Sequence, residues 1–129
     1  MATGFPASTG DVLSAAMYNG LTAFTVNTAQ TADYTAVLND QYQVIQPMNK
    51  ATAIAFKIPT NASVAFATGT VITILNIGVG TCTISAVTPG TTTVLSAGAT
   101  AASPTLGQYK SAACIKTATD TWYVVGAIA

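Results

Sequence analysis

The sequence predicts an all-β fold, a compact antiparallel sandwich or jelly-roll-like domain of about eight short strands, preceded by an extended N-terminal arm with a short helix. Three observations carry that expectation. From Asp33 onward, apolar and β-branched runs of roughly four to eight residues alternate with turn-forming clusters, the habit of short paired strands. Within residues 52–58, Ile54, Phe56 and Ile58 alternate with Ala53, Ala55 and Lys57, which sets one apolar face against the other. No segment of this part carries a helical period long enough for a packed helix. The chain therefore divides into an arm over residues 1–30 and a β domain over 31–129.

Residues 34–38 read as the first strand, turned at Asn39-Asp40 into a second run over 42–46 that Pro47 stops. After the 52–58 strand, Pro59-Thr60-Asn61 breaks the pattern and residues 64–66 make a brief apolar return. Residues 70–77 form the strongest strand. There Val71, Thr73 and Leu75 oppose Ile72 and Ile74, so both faces are largely apolar and a central position buried on two sides is expected. Gly78-Val79-Gly80 predicts a bulged hairpin into a strand over 81–87. Thr88-Pro89-Gly90 turns the chain into a weaker strand over 91–96, and 97–104 is loop. A last pair, 108–117 and 121–128, is joined at Ala118-Thr119-Asp120 and carries the single tryptophan, Trp122. The expected β core or subunit interface is Ile54, Phe56, Ile58, Val71, Ile72, Ile74, Leu75 and Trp122.

The first 30 residues differ in character. Gly4-Phe5-Pro6 and Ser8-Thr9-Gly10-Asp11 are turn chemistry. Ser14 suits an N-cap, with Leu13 and Tyr18 at the spacing of a hydrophobic staple, so a helix is predicted from Ala15 until Gly20 weakens it. Such a helix is too short to stand alone. The arm must lay its apolar side chains on something, either the chain's own β domain or another protein, and Phe5, Pro6, Val12, Leu13, Met17, Tyr18, Leu21 and Phe24 are the expected docking residues. The N-terminus has neither the basic region nor the apolar stretch of a secretory signal, and cytoplasmic synthesis is expected. The apolar run 71–79 is too short for a spanning helix, which needs about 20 residues.

Charge is scarce. Four Lys and four Asp are the only charged residues, the net charge is zero, and Arg, Glu and His are absent. Nucleic-acid binding loses its electrostatic footprint, and the usual acid–base and metal-ligand side chains are missing. Ser and Thr are abundant, but no imidazole activates them and neither GxSxG nor Ser-x-x-Lys occurs. No enzyme activity, cofactor or metal is expected. Asp11, Asp40 and Asp120 lie in turn-forming contexts, and Asn61-Ala62-Ser63 matches a glycosylation sequon that reads as accidental. Cys82 and Cys114 read either as small buried hydrophobes or as a disulfide formed outside a reducing cytosol. Tyr109, Trp122 and Tyr123 are either core aromatics or a stacking surface for a sugar.

A free monomer with 6% charged residues and a mean hydropathy of +0.51 would expose an unusually ion-poor surface, and residues 58–109 hold no charge at all. Designed soluble domains carry about 25–35% charged residues on their surfaces. Part of this surface is therefore expected to be covered by other subunits, while 23 Thr help to wet the rest.

Residues 62–72 (ASVAFATGTVI), 108–113 (QYKSAA) and 119–126 (TDTWYVVG) together resemble a small β domain of tailed-bacteriophage virion proteins. The opening Gly4-Phe5-Pro6, with residues 10–15 (GDVLSA) and Asn19, is similar to the attachment arms of phage fibre and head-fibre proteins. The resemblance touches the arm and most of the β domain. It implies a structural component, commonly trimeric, on the virion surface, without enzymatic activity. The partners it implies are copies of the chain and a major capsid or other virion protein. Within that class a capsid decoration or head-fibre protein is the leading expectation, and a short tail-fibre or tip module binding a host receptor is the alternative. The chain departs from long fibre proteins in having no shaft.

Overall fold

The computed structural model describes residues 23–129. The predicted helix and Phe5, Pro6, Val12, Leu13, Met17, Tyr18 and Leu21 lie outside the described residues. Among the described residues the chain is almost entirely β, with ten strands: β1 (Thr25–Val26), β2 (Tyr34–Thr35), β3 (Val44–Met48), β4 (Ile54–Ile58), β5 (Val71–Asn76), β6 (Cys82–Ala86), β7 (Thr93–Ser96), β8 (Thr105–Leu106), β9 (Lys110–Ala118) and β10 (Thr121–Gly126). They form a six-stranded sheet ordered β1-β3-β5-β9-β10-β7 and a four-stranded sheet ordered β2-β4-β6-β8.

The first six strands alternate between the sheets, and each lies parallel to the strand of its own sheet two places earlier. The chain thus winds through three rungs, β1-β2, β3-β4 and β5-β6, stacked as in a short solenoid. The corners stack as well. At one, Gln30 N–H donates to the Pro47 carbonyl and Asn49 N–H to the Gln30 carbonyl, while Gly78 N–H reaches Met48 and Gly80 N–H reaches Lys50. At the other, Ala36 N–H donates to Lys57 and Val87 N–H to Ile58. Residues 25–30, assigned from sequence to the arm, belong to the first rung.

This topology corrects two expectations. Pairing is mixed rather than antiparallel, with parallel ladders at β1-β3, β3-β5, β2-β4, β4-β6 and β7-β10. The Gly78-Val79-Gly80 hairpin is absent, because β5 and β6 lie in different sheets. A tight two-residue hairpin turn needs positive φ, and the described glycines with positive φ are Gly69 and Gly126 instead. Gly80 serves close approach: a Cβ there would stand 1.8 Å from the Thr52 carbonyl oxygen of the rung below. The 34–38 run also shortens to β2, and residues 38–41 become a 3-10 turn in the connector to β3.

Pro47, read as a stop, lies inside β3. The carbonyls of Ile45 and Pro47 point toward the β1 side, so the proline nitrogen faces the gap where that short strand has already ended. The final strands close the winding. β9 lies antiparallel to β5, β10 returns along β9 through the turn at Asp120, and β8 runs antiparallel to β6.

One apolar core lies between the sheets. Ile54, Phe56 and Ile58 face Ile72, Ile74, Trp122 and Val124 across it, with Phe66 set edge-on to Trp122 at 5.5 Å between ring centroids. Cys82 and Cys114 are free thiols within this core, one on each sheet, so the disulfide reading is not realised in the structure. Burial pushes the Cys82 thiol up to about 11, and raises that of Cys114 further. Asp40 is buried without a cation and is held by Tyr34 Oη at 2.7 Å, Gln46 Nε2 at 2.7 Å and Val37 N–H at 2.9 Å. Burial, and then the bond to Asp40, raise the Tyr34 hydroxyl well above its ordinary value. Asn76 is likewise spent internally, donating to the carbonyls of Gly80 and Leu106.

Candidate interaction face

Because strand side chains alternate, every sheet in this molecule has an inner face in the core and an outer face away from it. On the six-stranded sheet the outer face is apolar. Register aligns Val71, Ile115, Tyr123 and Leu95 in one cross-strand row. A second row runs Val26, Ile45, Thr73, Ala113 and Val125, and a third runs Pro47, Leu75 and Ser111. No charged side chain occurs in these rows. With strands about 4.8 Å apart and a rise of about 3.3 Å per residue, the rows span roughly 450 Å² of sheet. Val26, Val71, Leu95, Tyr123 and Val125 are exposed on it, whereas Ile45, Leu75 and Ile115 are half-buried and Pro47 is buried.

The face has a recess at one edge and an extension at the other. Between β7 and β10 a hollow of about 280 Å³ is lined by Leu95, Ala97, Tyr123, Val125, Gly126 and Ile128. Gly126 keeps this corner closed on β9: it has φ +133°, and a Cβ would stand 2.6 Å from the Ser111 carbonyl oxygen. On the opposite side Phe24 and Val71 border a hollow of about 390 Å³ with Gln41, Gln43, Gly69 and Thr70. Phe24, the one docking residue predicted from sequence that is described, is half exposed there, next to the foot of β1.

The predicted core residues divide between the two faces. Ile54, Phe56, Ile58, Ile72, Ile74 and Trp122 are buried inward. Val71 and Leu75 point out, with Val71 41% exposed and Leu75 half-buried, so among the described residues β5 is fully buried on its inner side only, where two-sided burial was expected. The sequence reading missed Ile45, Leu95, Ile115 and Val125 as members of the same surface. Their signal was present in runs such as 122–125 (WYVV), where apolar residues occupy both faces of a strand with room for only one in the core.

The aromatic residues do not assemble into a sugar platform. Trp122 is buried, and Tyr109, 77% exposed at φ 61°, stands six residues along the chain from Ile115, the partner of Tyr123. That separation is about 20 Å in an extended strand. Among the described residues no cluster of His, Cys, Asp or Glu could hold a metal ion, and no helix is long and apolar enough to cross a membrane. Comparison with protein-family models, curated proteins and solved structures finds no match for this chain.

Proposed function

We propose that the protein is a non-enzymatic structural component of a bacteriophage virion, a capsid decoration or head-fibre protein that trimerises through its β domain and docks on the shell through its N-terminal arm. The observation that carries this reading is the uncharged outer face of the six-stranded sheet. An apolar surface of this size is stabilised when a partner removes it from water, at about 25 cal/mol per Å² before the costs of association. Binding would rest on apolar and backbone contacts, since four Lys and four Asp offer little electrostatic steering. Phe24, the docking residue within the described part of the chain, lies beside that face.

The test compares the full chain with a variant lacking residues 1–24 in co-sedimentation with phage particles stripped of the protein. The expected result is that the truncated chain still self-associates but no longer sediments with particles. Undiminished particle binding by the truncated chain would overturn the role given to the arm. Binding to host glycans in place of particles would favour the tail-tip alternative.

A further inference from the structure

Lys116 is a buried cation that the proposed function does not use. It lies on the inward face of β9 opposite Trp122 and is 2% exposed. Lysine is seldom buried to this degree unless a carboxylate pairs with it. Here Nζ donates instead to Asn61 Oδ1 at 2.6 Å and to the Phe66 carbonyl at 2.7 Å, both uncharged acceptors.

The backbone of Asn61 is anchored to the turn before β10. Asn61 N–H donates to Asp120 Oδ1 at 2.7 Å, and the same oxygen accepts from Thr92 Oγ1 at 3.0 Å. The edge-on Phe66 and Trp122 rings pack beside the lysine and shield this corner of the core. The buried Lys116 and the half-buried Asn61 are therefore held against each other, although 55 residues separate them in the chain.

We propose that Lys116 and Asn61 join in an intramolecular isopeptide bond. With Nζ 2.6 Å from Oδ1 and a carbonyl bond of about 1.23 Å, the amine stands no more than about 3.8 Å from the carboxamide carbon. Attack requires it to give up a proton and move from donating to Oδ1 to a position over the carboxamide plane. Nζ attacks Cγ, the new C–N bond forms, and the bond from Cγ to Nδ2 breaks. Counted from the ammonium form, one lysine proton remains as the new amide N–H and two pass to the departing nitrogen. It leaves as ammonium, so charge is conserved and no oxidant or co-reactant enters. The bond would fasten the connector between β4 and β5 to β9, locking the second and third rungs to the closing strands. It also gives the side chain of the sequon asparagine a use other than glycosylation. The inference stands independently of the virion reading.

Intact mass of the folded full chain tests it. After allowance for Met1 removal, the wild type should weigh about 17 Da less than its sequence mass, the loss of one ammonia. Lys116→Met and Asn61→Ala should each show their full sequence mass. Trypsin should yield one branched species in which residues 58–110 are joined to 111–129, uncut after Lys116. Folded wild-type protein at full sequence mass would overturn the proposal. So would a mass loss that maps to residues 1–50, where Asn19-Gly20 can lose ammonia by ring closure.

Discussion

The outer faces of the two sheets obey the same strand geometry and differ in chemistry. The four-stranded sheet shows water Thr35, Ala55, Lys57, Thr83, Ser85 and Thr105. Every one of these is small, hydroxylated or charged. The six-stranded sheet turns outward Val26, Ile45, Val71, Leu75, Leu95, Ile115, Tyr123 and Val125, with Thr73, Ala113 and Ser111 among them. A chain with so few charges has made one face compatible with solvent by means of hydroxyls and has concentrated its apolar surplus on the other. The lesson is that overall hydropathy was a poor guide to where a partner would sit, while register locates the surface to a single sheet.

The contrast is broken most severely at the inner face. Ile72 and Ile115 are both β-sheet isoleucines, one buried in the core and one on the outer face. Ile72→Ala should cost about 2–5 kcal/mol in urea denaturation, because it leaves a cavity among Ile74, Cys114 and Val124. Ile115→Ala, at a half-buried position, should cost clearly less monomer stability than Ile72→Ala and act chiefly on self-association. Equal losses in stability at the two positions would mean that the outer face is already packed within one chain.

Alkaline pH sharpens the comparison from the inside. The groups with raised values are Cys82 and Cys114 in the core and the half-buried Tyr34 against it, and in each burial is the leading cause. A raised value in the folded state means that the unfolded chain loses its proton first, so stability falls as pH rises past the unfolded value. For Cys82 the decline should run from pH 9.0 to about 11, with the other two groups extending it upward. Melting temperature measured across that range should drop, and Cys82→Ala should flatten the first part of the fall. A melting temperature constant to pH 11 would contradict the burial of these groups.

Strand positions were legible in the sequence because alternation is local: Ile54, Phe56 and Ile58 announce both a strand and its inner face. Pairing was not legible. Whether β5 joins β6 or β9 depends on contacts far apart in sequence, and Gly78-Val79-Gly80 offers the same composition for a hairpin as for a stacked corner. The shortest strands, β1, β2 and β8, are two residues each, too brief for any period to show. Lys116 was passed over as one lysine among four, although it shares the parity of Ala112 and Cys114 in a run that alternates inward and outward. Asn61 carried only a sequon, and nothing local links it to a lysine 55 residues away.

The central claim is that the uncharged outer face of the six-stranded sheet is covered by copies of the same chain. Native mass measurement of the full chain against the Tyr123→Lys, Val125→Lys double variant tests it most directly, since two lysines without partners would have to be desolvated in any such contact. The account predicts a wild-type species of three times the 13.0 kDa chain mass, and a folded monomer for the variant. A wild-type chain that stays monomeric at high concentration, or a variant that assembles as well as the wild type, would contradict it.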